Sequence, residues 1–278
     1  MPGAGRNSLP SALLSVKMTL PSAHWRLLVT SPATGAENMA LDEALMERAR
    51  MADDWTLRVY SWSEPTLSLG RNQAARGRYD LERVRERGLG VVRRPTGGRA
   101  ILHHREVTYS VTAPTASAGE LGESYRRINR LLLAAMRSLG VTASVAAPAT
   151  RAISPGMSPC FDEPAAGELV VDGRKLAGSA QWRIDGALLQ HGSILVADDQ
   201  SALAELAVGG QASIPKPATL TEALGWKPTV GDVAEALHGA VRMLEDPTVS
   251  SIGVDSEVRA RMTALVVRYS DDAWTWRR

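Results

Sequence analysis

The sequence predicts an α+β fold in which helices flank one central, mostly antiparallel sheet. Short alternating runs typical of strands recur through the 278-residue chain, and amphipathic helical patterns lie between them. Two Asp-Gly pairs, Asp172-Gly173 and Asp185-Gly186, are strong signals for tight hairpin turns. Such turns join neighbouring antiparallel strands, so the middle of the chain is predicted to be a meander.

Each element follows from periodicity and from the residues that begin or end it. A helix at about 36–50 follows the capping-box residues Thr34 and Glu37. Further helices are predicted at about 80–87, 119–139, 200–208, 231–245 and 255–269, with a short one after Thr219. Strands are predicted at 55–60, 66–69, 90–94, 100–104 and 106–111, and within 168–181 and 186–196.

Composition limits the class of protein. The 32 basic and 30 acidic residues nearly cancel, which argues against nucleic-acid binding driven by bulk charge. One cysteine excludes an internal disulfide and a Cys-rich metal site, so we expect a cytoplasmic location. No apolar run reaches the roughly 18 residues that cross a bilayer. We expect a flexible tail over 1–20, with Met1 or Met18 as the start, and one domain over 21–278 with helices at its C-terminal end.

The single cysteine is the candidate nucleophile. Cys160 lies in an irregular, proline-rich stretch, and loops often carry reacting side chains. A thiolate is a good nucleophile, and a nearby ammonium favours the charged form of a thiol. Lys175, fifteen positions later, is the candidate ammonium. The alternative is that Cys160 is a small buried apolar residue without a chemical role.

Two glycine-containing segments are candidate ligand-binding elements. In Arg93-Arg94-Pro95-Thr96-Gly97-Gly98-Arg99, flexible glycines between cations suit a loop around an anionic or carbonyl-bearing ligand, although an ordinary turn explains the glycines equally well. The small residues Gly178-Ser179-Ala180 leave backbone amides accessible to a ligand. Strict alternation in this strand predicts Lys175 and Ala177 on the same face.

The histidines and one basic stretch each allow two interpretations. His103, His104 and His191 could bind a metal, but neighbouring strand residues point to opposite faces, so structural roles are favoured. The stretch 126–130 on the long helix could dock an acidic carrier protein, or it could be a solvated helix face.

The order of these motifs closely resembles the lipoate-protein ligase A and octanoyltransferase family, and within it the LipM-type octanoyltransferases. The resemblance covers about 25–267 and is most specific in Gly173-Arg174-Lys175-Leu176-Ala177-Gly178-Ser179-Ala180-Gln181. It implies the catalytic-domain fold of biotin and lipoate-protein ligases. Arg99 and His104 depart from the ligases, which frequently have glycine and aspartate at these positions.

The resemblance also implies a reaction. An octanoyl group would pass from octanoyl-acyl carrier protein to Cys160, and then to a lysine of a lipoyl domain such as that of the glycine cleavage H protein. Lys175 would lower the thiol pKa and orient the thioester carbonyl. The remaining residues implied to bind substrate are Arg94, Thr96, Gly97, Gly98, His103, Gly178, Ser179, Ala180, His191 and Gly192.

This chemistry requires no ATP, metal or nucleotide, so no cofactor is expected, and neither is a nucleic-acid or membrane partner. The sequence leaves the oligomeric state open, with a monomer among the options. Three alternatives remain: an ATP-dependent lipoate-protein ligase, an amidotransferase that moves octanoyl between lipoyl domains, and a binding module without turnover. Ligases of this fold generally lack a cysteine at the position of Cys160, which favours acyl transfer.

Overall fold

The computed structural model describes residues 23–147, 167–209 and 215–278. The predicted tail over 1–20 and the segment that carries Cys160 lie outside these ranges. The strands are β1 (His24–Val29), β2 (Asp54–Tyr60), β3 (Thr66–Leu69), β4 (Gly90–Arg93), β5 (Ile101–His103), β6 (Glu106–Pro114), β7 (Ser144–Val145), β8 (Leu169–Val171), β9 (Arg174–Ile184), β10 (Ala187–Leu195) and β11 (Ser250–Ser251). The helices are α1 (Gly35–Ala49), α2 (Leu81–Glu86), α3 (Thr115–Ala118), α4 (Leu121–Leu139), α5 (Ala202–Leu206), α6 (Leu220–Leu224), α7 (Val230–Leu244), α8 (Ser256–Tyr269) and α9 (Asp272–Thr275).

A central sheet organises the molecule, which confirms the predicted fold class. Its eight strands lie in the order β11-β1-β2-β6-β10-β9-β8-β7. Strand β1 runs parallel to both of its neighbours, and the other pairs are antiparallel. The meander β8-β9-β10 turns at the two predicted Asp-Gly pairs, where Asp172, Gly173, Asp185 and Gly186 all have positive φ angles. These left-handed turns match the twist of the strands that they join.

Strands β3, β4 and β5 form a separate small sheet instead of extending the central one. Strand β3 lies in its middle, parallel to β4 and antiparallel to β5. They cannot join the central sheet beside the strands nearest in sequence, because β2 is already paired with β1 and β6, and β6 with β10. The gap between the two sheets becomes the candidate active site.

Helices cover both faces of the central sheet. Helices α4 and α7 pack on one face over the main apolar core, which includes the fully buried Trp25 and Trp55. Helix α1 packs on the other face against β6 and β10, with α8 outside it. In the described ranges, no helix is long and apolar enough to traverse a lipid bilayer.

A β-bulge in β9 makes the predicted alternation wrong for Lys175. Leu169 pairs with Ala177 but Val170 pairs with Lys175, so one extra residue, Leu176, enters β9 at this point. Leu176 and Ala177 both belong to the main core. Lys175 instead lies on the opposite face, beside Gly178. A bulge shifts the two-residue period by one, and here it directs the lysine away from the core and toward the gap between the sheets.

Candidate active site

A cavity of about 540 Å³ lies where β6, β9 and β10 face β5 and the loop after β4. It brings together most of the predicted site residues, which are Arg94, Gly97, Gly98, His103, Lys175, Gly178, Ser179, Ala180, His191 and Gly192. Thr96 does not line the cavity but contacts a residue that does. Cys160 lies outside the described residues. Apolar and aromatic side chains complete the wall, including Met39, Tyr60 and Ile101.

Lys175 forms a buried ion pair in the cavity wall. Its side chain is almost fully buried, and Nζ donates to Glu168 Oε1 at 2.7 Å. Glu168 is also buried and immediately precedes β8. Removing one member of such a pair leaves a buried charge without compensation. Glu168 was not predicted as a site residue, although its position just before a strand that pairs with β9 placed it within reach.

Gly178 provides the space that the lysine occupies. A Cβ atom at this position would lie 2.8 Å from Lys175 Cε and 3.0 Å from Nζ. Gly192, opposite Ser179 in the ladder, is equally constrained, because its Cβ would lie 2.5 Å from the carbonyl oxygen of Gly178. The small residues that the sequence singled out therefore permit close packing around Lys175 and between β9 and β10.

Strand β9 has β10 along one edge, but its other edge is only partly paired. Strand β8 pairs only with the part of β9 from Arg174 to Ala177. Within the described ranges, no strand pairs with the outer edge of β9 from Gly178 onward. Gly178, Ser179 and Ala180, on this part of β9, line the cavity.

Arg94 holds the glycine loop in shape. Its guanidinium donates to the carbonyl oxygens of Gly97 at 2.8 Å, Arg99 at 2.7 Å and Ser68 at 3.0 Å. Gly98 adopts a φ of 96°, and a Cβ there would lie 2.8 Å from Arg94 Nη2. The described contacts thus give Arg94 a structural role in the loop, and substrate binding by Arg94 stays a prediction.

Arg93 is a second structural arginine. It is fully buried and donates to the carbonyl oxygens of Gly70 at 2.6 Å, Gln73 at 2.8 Å and Thr275 at 2.7 Å. Burial, reinforced by the nearby Arg277, lowers the pKa of Arg93 to about 10. Arg93 joins the end of β4 to the segment after β3 and to the C-terminal helix α9.

A buried network ties His191 to α1. Asp42 is completely buried, and its carboxylate accepts from Arg58 at 2.8 Å, from the Ser110 hydroxyl at 2.7 Å, from the Tyr60 hydroxyl at 2.8 Å and from His191 Nδ1 at 3.1 Å. Burial acts to raise the pKa of Asp42, but Arg58, His191 and Ser110 outweigh it, so this pKa is lowered. Asp42 was not predicted as a site residue.

His191 links that network to the glycine loop. Burial lowers the pKa of His191 below its ordinary value of 6.5, although Asp42 opposes the shift. The imidazole is therefore neutral at pH 7, with its proton on Nδ1 toward Asp42. Its Nε2 atom, 2.6 Å from Thr96 Oγ1, then accepts from the threonine hydroxyl. The described contacts of His191 connect α1 to the glycine loop, and substrate binding by His191 stays a prediction.

His103 has a different environment. Its Nδ1 atom lies 2.7 Å from Glu106 Oε1, and its ring stacks on Trp62 with centroids 3.9 Å apart. His104 points the other way and pairs with Asp199. Among the described residues, no cluster of three His, Cys, Asp or Glu side chains is arranged to hold a metal ion.

The basic stretch on α4 is not a continuous cationic surface. Arg127 is buried, forms an ion pair with Glu245 and lies 4.5 Å from the centre of the Trp55 ring. Arg126 and Arg130 are exposed. The predicted docking stretch is therefore reduced to two exposed arginines.

Comparison with known proteins identifies relatives over most of the chain. The family model for the lipoyl protein ligase A/B catalytic domain matches residues 34–242. A curated relative named octanoyltransferase LipM, from Symbiobacterium thermophilum, is 41% identical over 272 residues, covering 92% of this chain and 99% of the relative. Another octanoyltransferase LipM, from Staphylococcus aureus, is 33% identical and covers 91% of this chain and 99% of the relative.

Solved structures support the same fold. A lipoate-protein ligase A bound with ATP superposes with a TM-score of 0.74 at 21% identity, covering 91% of this chain and 98% of that chain. A bipartite lipoate protein ligase from Thermoplasma acidophilum gives a TM-score of 0.72 at 20% identity, covering 91% and 96%. At these identities the likeness extends to the fold alone.

The buried Asp42 network yields a stability prediction. Replacing Asp42 with Asn removes the charge that compensates Arg58, so the free energy of unfolding should fall by about 3–5 kcal/mol in urea denaturation. Glu47→Gln is the matched control, because Glu47 lies on the same helix but pairs with the partly exposed Arg261. That control should cost about 1 kcal/mol or less. Equal losses in both variants would contradict the proposed importance of the buried charge.

The space at Gly178 yields a structural prediction. In Gly178→Ala the new methyl group should displace the flexible end of Lys175, so a crystal structure of the variant should show the Nζ to Glu168 bond broken. Gly239→Ala is the control, since nothing lies within 4 Å of a Cβ at that helical position. An intact Lys175–Glu168 bond in Gly178→Ala would show that the glycine is not needed for the lysine.

Proposed function

The chain belongs to the family of the lipoyl protein ligase A/B catalytic domain, and on that premise we propose that it is an octanoyltransferase. The donor is octanoyl-acyl carrier protein, and the acceptor is a lysine of a lipoyl domain, such as that of the glycine cleavage H protein. The octanoyl group passes through a thioester on Cys160. The relatives named octanoyltransferase LipM, which the chain matches over nearly their full length, support the reaction class.

The observation that carries the proposal is the buried lysine in the wall of an apolar cavity. At about 540 Å³, the cavity lies within the usual size range of small-ligand sites, roughly 300–1,000 Å³. Its apolar wall suits a medium-length acyl chain, and Lys175 places a positive charge at one side of it. An acyl group can therefore be bound next to a cation that polarises its carbonyl.

Cys160 supplies the nucleophile in this proposal. Cys160 lies eight positions before Glu168, the partner of Lys175, and eight residue steps span at most about 28 Å. This reach is compatible with a thiol at the cavity. The Lys175 ammonium favours the thiolate, which attacks the octanoyl thioester and releases the carrier thiol.

Both half-reactions pass through a tetrahedral oxyanion. The Lys175 ammonium and backbone amides near Gly178 to Ala180 are the proposed donors to this oxygen. Each well-placed donor contributes about 3 kcal/mol of transition-state stabilisation. Transfer between thioesters is nearly balanced in free energy and amide formation is favourable, so the sequence of steps needs no ATP.

A test of the nucleophile uses intact-protein mass spectrometry after mixing with octanoyl-acyl carrier protein. The wild-type protein should gain the mass of one octanoyl group, whereas Cys160→Ser should gain none, because it lacks the thiolate. Ser158→Ala, two residues away, should retain the adduct. A normal adduct on Cys160→Ser would end this assignment. Product formation only with free lipoate and ATP would instead identify a ligase.

A second test measures the electrostatic role of the lysine. In Lys175→Met the Cys160 thiol should lose its cationic neighbour, so its pKa should rise toward about 8.5. The pH dependence of iodoacetamide alkylation reports this pKa without ambiguity, because the chain has one cysteine. Lys216→Met removes an exposed lysine and should leave the profile unchanged. An identical profile in Lys175→Met would remove the proposed role.

A further inference from the structure

We propose that His103, held by Glu106, is the catalytic base that removes the proton from the acceptor amine. This inference rests on the octanoyl transfer proposed above. It concerns the second half-reaction, in which the lysine of the lipoyl domain attacks the thioester. An amine that forms an amide must lose a proton, and at neutral pH a solvent-exposed lysine is largely protonated. The site therefore needs an acceptor for that proton.

Lys175 is poorly suited to accept it. Its Nζ atom donates to the Glu168 carboxylate at 2.7 Å, which is the arrangement of a charged ammonium. An ammonium has three donors and no lone pair. His191 is unsuited for another reason, since both of its ring nitrogens are engaged, one by Asp42 and the other by Thr96. Its imidazole has no nitrogen left for substrate.

His103 has one nitrogen held and the other available. Nδ1 lies 2.7 Å from Glu106 Oε1, and Trp62 covers one face of the ring. Its side chain lines the cavity, and Nε2 makes no hydrogen bond with any described residue. A carboxylate on Nδ1 fixes the tautomer that leaves the lone pair on Nε2. This is how a histidine base is oriented in hydrolases that use a carboxylate–histidine pair.

Glu106 is built to hold the imidazolium that forms. Its side chain is fully buried, and Oε1 accepts from His103, from Thr108 at 2.6 Å and from Ser193 at 2.7 Å. Its second oxygen, Oε2, is buried without a hydrogen-bond partner in the described part of the chain. A buried carboxylate with one unused oxygen gains from a positive charge beside it. Glu106 is thus a positioning residue for His103.

The cross-strand register places this pair next to Lys175. Ser193, whose hydroxyl lies 3.2 Å from His103 Nδ1, is directly opposite Gly178 in the ladder between β9 and β10. Opposite residues in an antiparallel pair share a face, with Cβ positions about 5 Å apart. The Cβ position of Gly178 is 3.0 Å from Lys175 Nζ. The imidazole and the ammonium therefore border the same part of the cavity.

The step balances in atoms and charge. His103 Nε2 first takes one proton from the acceptor ammonium and passes it to solvent. The nitrogen, now uncharged, attacks the thioester carbonyl carbon, a C–N bond forms, and the carbonyl oxygen becomes an oxyanion beside Lys175. The tetrahedral intermediate then collapses, and the C–S bond breaks. The sulfur leaves as a thiolate and takes up the second proton of the nitrogen, so the products are the octanoyl amide and the Cys160 thiol.

The test separates the two half-reactions in His103→Asn. The Asn amide can still donate to Glu106, but nothing replaces Nε2. Acyl-enzyme formation from octanoyl-acyl carrier protein should remain close to the wild-type rate, whereas single-turnover transfer to the lipoyl-domain lysine should slow by about 10²–10⁴-fold. Discharge by hydroxylamine, which is uncharged at neutral pH and needs no base to become a nucleophile, should be little changed.

Matched controls distinguish loss of the His103 base from a structural effect of the substitution. His104→Asn makes the same substitution at the neighbouring, exposed histidine and should leave both half-reactions intact. In His103→Ala, added imidazole should restore part of the transfer to lysine. Wild-type transfer to lysine in His103→Asn would overturn the proposal, as would equal slowing with lysine and hydroxylamine. Failure of the wild-type protein to form any acyl-enzyme would instead overturn the octanoyl transfer and, with it, this step.

Discussion

The buried ion pair between Lys175 and Glu168 is the interaction on which the site depends. Three local features produce it: the bulge in β9 that turns the lysine toward the cavity, the missing side chain at Gly178, and the position of Glu168 just before β8. None of these features would be needed for a lysine at the protein surface. Burial of a charged pair is costly unless it is well satisfied, and the position of this pair in a cavity wall is the basis of the chemical role proposed for the cation.

Two carboxylate–histidine pairs border the same cavity and differ in what they leave available. Asp42 and His191 form a closed network that connects α1, β10 and the glycine loop, with both imidazole nitrogens engaged. In the Glu106 and His103 pair, only Nδ1 of the imidazole has hydrogen-bond partners among the described residues, and His103 lines the cavity. The first pair stabilises the loop that shapes the site, and the second is arranged for proton transfer. The hydrogen bonds of each imidazole, and not the residue types or their burial, distinguish the two pairs.

Much of the fold and of the site could be predicted from the sequence. Asp-Gly turns and helical periodicity located the meander and the long helices, because these signals are local. The very short strands β7 and β11 were not predicted, since they exist only through pairing with β8 and β1. The predicted face of Lys175 was wrong, because the bulge in β9 arises from its pairing with β8, and the sequence of β9 alone does not reveal that pairing. Glu168, Asp42 and Glu106 were missed as site residues, because their contacts span different elements.

The central claim is that an octanoyl group resides on Cys160 before it reaches the lipoyl domain. The most direct measurement is peptide mapping by tandem mass spectrometry of the protein trapped with octanoyl-acyl carrier protein in the absence of acceptor. The account predicts octanoyl on the peptide that contains Cys160, and loss of that label when a lipoyl domain is added, at the rate at which octanoylated lysine appears. Octanoyl on another residue, or transfer to the lipoyl domain without any labelled intermediate, would contradict it.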